Sequence, residues 1–469
     1  MTNSSNSSNS SSPKTKRSYV KLGIGLVVAS LIAYQFKPNT PSIDSRISDG
    51  DRILISIKNG PAKTLAAKAI GDKDLSAATK QFQAIIDQDR NDPESLIYLN
   101  NLKAKQVSDS NFAIAVSVPI STNLNVAQEI LRGVAQAQDE LNTAGGIAGR
   151  RMLVTIADDS NSPETAAQIA QAFAQNQTIL GVVGHNSSDA SVAGAAVYQE
   201  KELVMVSPTS GTDKLTGFGS YIFRTIPRTQ LMATPLAKYV VNTLNKKKVG
   251  ICQDIKSVDN ISFRDGFIGA LVEEGGQTVQ LDCELSDPNL NAQNVINLAI
   301  QEQVDVILLC PHVDRIDRAL LLAEKNQGRI ALMGSQTLYT SQTLSGKATI
   351  KNMILPVFWH PGLNPDFSKK ATDYWKGPVT WRTATAYDAT LVLIKAASST
   401  TTPTRSSIQA NLRSGKFSAQ GSTGEIKFMD TGDRLGKPTL MTIQESGSNY
   451  TFVPIVPVEK IVPPKNTAG

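Results

Sequence analysis

Cysteine is scarce: Cys252, Cys283 and Cys310 are the three in 469 residues, so at most one pair can bridge. No G-x-G-x-x-G follows a strand. Gly145, Gly146 and Gly149 end a helical pattern and precede a strand, which excludes the dinucleotide-binding fingerprint. The formal charge is +6, yet no basic stripe interleaves with aromatics, and this excludes a nucleic-acid surface. Lys246, Lys247 and Lys248 read as a solvated helix end. A nucleophile paired with a base is missing too. The loops that end the apolar strands hold one His and two adjacent acids, which make no triad, and no carboxylate pair is placed for acid–base work. Nothing points to an enzyme or to a cofactor.

The chain is longer than one hydrophobic core usually holds, so two or more domains are expected. Residues 1–18 are mostly Ser, Asn and Thr and then basic, with Lys14, Lys16 and Arg17, too polar to fold and read as a cytoplasmic tail. They lead into the apolar run Leu22–Tyr34, which Lys21 and Lys37 extend by snorkelling to a usable stretch of 19–36. No Cys follows to take a lipid and no small-x-small site precedes polar sequence, so the reading is an uncleaved signal anchor, a transmembrane helix. The positive-inside rule then places the rest outside the cytoplasm, as a single-pass protein of the cytoplasmic membrane.

Residues 37–60 read as a spacer with a strand at Arg52–Ile57, and residues 61–106 as a helical pair resembling one tetratricopeptide unit. From Asn111 the pattern changes. Three short β-branched runs, Phe112–Val118, Met152–Ala157 and Ile179–Val183, are each followed by a helical pattern, which implies a parallel sheet covered by helices. The helix Val126–Leu141 aligns Ile130, Leu131, Val134 and Leu141, and the next opens on Ser162 and Pro163. A second series follows: Lys248–Cys252, Thr278–Cys283, Val304–Leu309 and Ile330–Gly334, with a later strand Met353–Phe358, a helix near Thr383–Ala397 and a hairpin-like region 424–453. In such sheets ligands sit beyond the carboxyl ends of the strands. The loops there carry hydroxyls, amides and backbone N–H groups, the equipment for binding without chemistry. The cysteines stand at or near strand ends and read as small buried hydrophobes, with a Cys252–Cys283 disulfide as the next reading; Cys310-Pro-His312 is no recognised zinc spacing.

Several segments in order carry a resemblance: Glu140–Ile147 before the second strand, Asp158-Asp159 at its end, Val183–Ser188, Val206–Ser210, Phe223–Pro227 and Tyr387–Ala389. Residues 111 to about 455 resemble the type I periplasmic binding proteins, in particular the branched-chain amino-acid-binding (Leu/Ile/Val) group of ABC transport receptors. The resemblance implies an α/β fold of two Rossmann-like lobes with parallel sheets, joined by three crossings that close on a ligand. It places lobe one at 111–227 and 356–434, lobe two at 228–355 and 435–453, and a flexible tail at 458–469.

The resemblance also implies a ligand carboxylate held by Ser187 and Ser188 at a helix N-terminus, where free N–H groups and the helix dipole favour an anion, with Ser210, Gly211 and Thr212 completing the cradle. The chain departs from the pattern on the other side. Gln336 stands where the family has an acid for the ligand ammonium, Asp259 and His312 stand at aromatic positions, and Gly211 stands where Thr is common. Two readings follow: an extracytoplasmic receptor that passes an amino acid or amide-like solute to an ABC permease, or an anchored sensor or interaction module that has lost amino-acid binding.

Overall fold

The structure, a computed structural model, describes residues 42–455 apart from residue 109. The expected tail at 1–18, the anchor at 19–36 and the C-terminal tail at 458–469 lie outside these residues. Among the described residues no helix is long and apolar enough to cross a membrane.

Two sheets organise the chain. The first holds β1 (Ile47–Ser48), β2 (Phe112–Val118), β3 (Met152–Asp158), β4 (Ile179–Val183), β5 (Val204–Ser207) and β6 (Ile222–Arg224), in the order β1-β3-β2-β4-β5-β6. All its pairings are parallel except that of β1, which runs antiparallel to the end of β3. The second holds β7 (Lys248–Gln253), β8 (Gln277–Val279), β9 (Val306–Cys310), β10 (Ala331–Gly334) and β11 (Ile354–Val357). A small separate hairpin, β12 (Ala419–Gly421) and β13 (Gly424–Ile426), precedes β14 (Thr439–Ser446) and β15 (Asn449–Pro454), which complete the second sheet in the order β15-β14-β11-β10-β9-β7-β8. In each lobe the second strand lies outside the first and the third inside it, so a switch point opens at the carboxyl ends.

The sequence of β2 explains its place. Alternate residues Ile114 and Val116 enter one core while Ala113 and Ala115 enter another, so the strand is buried on both faces, as parallel strands between helix layers are. The chain leaves the first lobe after β6 and the second after β11. It returns through the helix Trp381–Ala397, which packs on the helix Leu124–Thr143, and crosses a third time between Arg434 and β14.

The N-terminal region differs from expectation. Three helices, Gly60–Gly71, Leu75–Gln88 and Pro93–Val107, replace the helical pair at 61–106. The first escapes a hydrophobic reading because its buried face is Lys63, Ala66 and Ala67, the lysine paired with Asp92 at 2.8 Å and Glu94 at 3.0 Å. Arg52–Ile57 is no strand: Leu54 and Ile55 donate their N–H groups to the Glu94 side chain, at 2.7 and 3.1 Å, instead of to a neighbouring strand. Nor is 37–60 a plain spacer, since Ile47 and Ser48 form the edge strand β1. The helices do not stand apart. Phe82, Ile85 and Leu99 share one apolar core with Ile130 and Val154, and Asn101 donates to the Val154 carbonyl at 2.8 Å.

In the second lobe β8 stops at Val279, short of the expected Cys283. Cys252 and Cys283, brought to neighbouring strand ends by the two-one-three order, form a disulfide, which corrects the reading of all three cysteines as plain hydrophobes. Cys310 is buried and unpaired, and burial pushes its thiol up, leaving it inert.

Candidate functional site

The first wall is built where β4 ends. Gly184 and His185 lead to Ser187, whose side chain caps the helix Ser188–Glu200 by accepting from the Ala190 N–H at 3.3 Å. First-turn N–H groups have no partner inside a helix, and this cap takes one, which leaves those of Ser188 and Asp189 at the cavity wall. The loop is fixed from beneath. His185 is fully buried, with Nδ1 2.7 Å from Asp159 and Nε2 3.2 Å from the Tyr198 hydroxyl, and Ser117 donates to the same Asp159 carboxylate at 2.9 Å. From the side, Asn161 accepts from the Ser187 N–H and Thr209 donates to the Asn186 carbonyl.

The second wall belongs to the other lobe. Asp259 lies in the first turn of the helix Val258–Glu273, capped by Ser257. Its carboxylate accepts from the Thr229 hydroxyl at 2.6 Å and from Gln336 Nε2 at 3.1 Å. Burial pushes this carboxyl up from its ordinary value, and the Thr229 hydrogen bond and the Arg224 guanidinium pull it back only in part. His312, after β9, sits 3.2 Å from Asp314, whose hydrogen bond raises the imidazole and is itself matched by a lowered Asp314.

The third wall is Phe358, Trp381 and Arg382. The Arg382 guanidinium lies 4.4 Å over the Trp381 ring. Burial lowers it to about 10, with Glu129 opposing, so it stays charged at neutral pH.

These walls enclose a cavity of about 90 Å³, against roughly 10–15 Å³ for one water and 300–1,000 Å³ for a drug-sized site. It holds a small solute. Of the residues singled out from the sequence, the structure brings Ser187, Ser188, Asp259, His312 and Gln336 together on its lining. Ser210, Gly211 and Thr212 stand behind that lining. Ser210 reaches the wall only through its hydrogen bond to Ser188 at 3.1 Å, while the Thr212 carbonyl accepts from Arg224 at 2.6 Å. The Gly211 carbonyl accepts from the Thr229 N–H at 2.6 Å. A Cβ on Gly211 would come 2.5 Å from the Thr229 hydroxyl and 3.3 Å from Asp259, so a threonine there would collide with the residue that holds the acid.

Asn161 and Thr209 lie in the strand-end loops that the sequence marks for binding, whereas sequence reasoning missed Asn260 and, above all, Arg382. One signal was available: a cation in the first turn of a helix opposes the dipole, so Arg382 is badly placed for a purely structural residue. Three side-chain atoms on the wall are buried without a hydrogen-bond partner among the described residues: Arg382 Nε, Asn260 Nδ2 and Gln336 Oε1. Buried polar atoms are seldom left so.

Comparison with known proteins gives the family and the fold. An amino acid binding protein of Pseudomonas aeruginosa is 30% identical over 147 residues, which is 31% of this chain and 39% of that protein. A Leu/Ile/Val-binding protein homologue of Brucella abortus is 27% identical over 30% of this chain and 38% of its own. The chain thus matches about two fifths of the length of these curated relatives. A solved leucine-binding protein of Thermotoga maritima superposes with a TM-score of 0.64 at 19% identity, covering 73% of this chain and 97% of that one; at this identity the likeness speaks for the fold. The family model described as periplasmic binding protein matches residues 112–448, the span that contains both lobes and all three walls, and the chain belongs to that family.

Proposed function

We propose that the chain is the extracytoplasmic solute-binding component of an ABC-type amino-acid uptake system, closing its lobes on a small amino acid and delivering it to a membrane permease. The observation that carries this reading is the polarity of the cavity. One lobe offers the N-terminus of the Ser188 helix, with the Ser187 and Ser188 hydroxyls, to a carboxylate, and the other offers Asp259 to an ammonium. A free amino acid carries both groups. Asp259 replaces, from beside Gln336 on the same wall, the acid that Gln336 lacks, and the free Gln336 Oε1 adds a second acceptor. Ser210 acts through Ser188, and His312 borders the ligand. The names of the relatives support the solute class, and a binding and transport role rather than catalysis.

A thermal-shift screen of the full chain in detergent against the common amino acids at millimolar concentration tests this. A ligand at about 100 times its Kd stabilises the fold by about 2.7 kcal/mol and raises Tm accordingly. Failure of every amino acid to raise it would remove the reading in favour of the interaction module.

We also propose that residues 19–36 anchor the protein in the cytoplasmic membrane, on the strength of the apolar run and the Lys14, Lys16, Arg17 and Lys21 cluster before it. The full chain should stay with membranes through alkaline carbonate extraction, and a chain lacking 1–41 should not. Release of the intact full chain would sink the anchor.

A further inference from the structure

Given the amino-acid reading above, one strong group in the cavity remains unused. An ammonium at Asp259 and a carboxylate at the Ser188 helix account for a neutral amino acid, yet Arg382 faces the same space. Its side chain makes no ion pair with any described residue, Nε is buried without a partner, and the guanidinium lies over the Trp381 ring at 4.4 Å. The nearest acid that influences it, Glu129, is already engaged: its carboxylate accepts from Arg132 at 2.7 Å, from Thr380 at 2.8 Å and from Thr383 at 2.5 Å. A half-buried guanidinium without an ion-pair partner has given up part of its hydration for nothing in return, and a neutral amino acid brings it no counter-charge. A second carboxylate in the ligand would supply what Arg382 lacks, in the planar two-oxygen form that a guanidinium fork matches.

We propose that the ligand is an acidic amino acid, aspartate or glutamate, whose side-chain carboxylate is held by Arg382 while its α-groups occupy the Ser188 helix terminus and Asp259. Each charged group of such a ligand then has a partner: the ammonium meets Asp259, one carboxylate meets the partial positive charge of the Ser188 helix terminus, and the other meets the Arg382 guanidinium. Asn260 Nδ2, the remaining unpartnered donor on the wall, gives a carboxylate oxygen a further bond.

Titration calorimetry on the full chain in detergent with L-glutamate, L-aspartate, L-glutamine and L-leucine tests the assignment without any variant. An acidic amino acid should bind roughly 30-fold or more tighter than the amide and leucine, because removing one member of an enclosed charge pair has about that effect or a greater one. Arg382→Gln should then lose most of the acidic ligand's affinity and bind glutamine at least as well as glutamate, with an unchanged or higher Tm. Wild-type preference for leucine or glutamine overturns the assignment but leaves the amino-acid reading in place. Equal losses for glutamate and leucine in Arg382→Gln also overturn it, by placing the α-carboxylate on Arg382. If none of the four binds and the wider screen is empty as well, both readings fall.

Discussion

Asp433→Ala is expected to cost about 3–5 kcal/mol of stability, the effect of leaving a buried charge alone. Asp433 and Arg224 are 1% exposed each, with Arg224 Nε donating to the carboxylate at 2.7 Å. The remaining guanidinium donors go to the Thr212 carbonyl and the Thr216 hydroxyl, both at 2.6 Å. The pair is placed where the chain changes lobes. Arg224 ends β6, at the first crossing, and Asp433 precedes the third. The backbone between them is equally tight, since Gly432 has φ +81° and a Cβ there would meet the Ile222 carbonyl at 2.1 Å. Next to it, Arg434 donates to the Thr225 carbonyl at 3.0 Å and lies 3.5 Å from Asp388, on the helix that receives the second crossing. One polar cluster therefore ties all three connections together. Urea denaturation of Asp433→Ala reads the loss as a lower midpoint. The double variant Arg224→Met with Asp433→Leu should recover a large part of it, because replacing both members with apolar groups removes the orphaned charge. A single variant within about 1 kcal/mol of wild type would show that the pair does not hold the crossings.

The parts of this fold that depend on local pattern were legible. β2 and β4 fall where the β-branched runs place them, and the helix after β3 opens on the Ser162 cap, because a strand buried on both faces and a capped helix end are written in adjacent residues. What depends on distant partners was not. The segment Arg52–Ile57 has a strand-like composition, but its backbone donors are satisfied by Glu94, about forty residues away. The helix Gly60–Gly71 hides because a buried lysine reads as a surface residue until Asp92 and Glu94 are seen beside it. The site divides in the same way. Ser187 and Ser188 follow from one strand-loop-helix unit, whereas Arg382 joins them only through the second crossing, nearly two hundred residues later in the chain. Asp259 lies between these cases. Its charge is plain in the sequence, whereas its place in a helix start rests on the Ser257 cap, and its place on the wall on Thr229 and Gln336, thirty and more residues away.

Asp259→Asn is expected to weaken amino-acid binding by roughly 10- to 150-fold, about 1.5–3 kcal/mol, the worth of a hydrogen bond to a charged partner. It should do so while making the ligand-free protein more stable at neutral pH. The substitution is nearly isosteric and its contacts survive. Thr229 still donates to the remaining oxygen, and Gln336, whose Oε1 is unpartnered, can turn its amide and accept from the new Nδ2. Only the charge is lost. For the fold that is a gain, because burial raises the Asp259 carboxyl above its unfolded value of 3.8. The native state then holds the proton more tightly than the unfolded chain. Its stability penalty is absent below the unfolded value, grows as pH rises toward the folded value, and is fully present above it. Wild type should therefore lose stability relative to Asp259→Asn across that window and run parallel to it at higher pH. Calorimetry with whichever amino acid the thermal screen identifies, together with urea denaturation of the ligand-free protein across the acid range, measures both halves. A structural residue would show a stability loss and a ligand residue shows a binding loss, so the two roles predict opposite signs in the ligand-free protein. Unchanged Kd, or a ligand-free variant less stable than wild type at neutral pH, would remove Asp259 from the binding wall and leave the ammonium to Gln336.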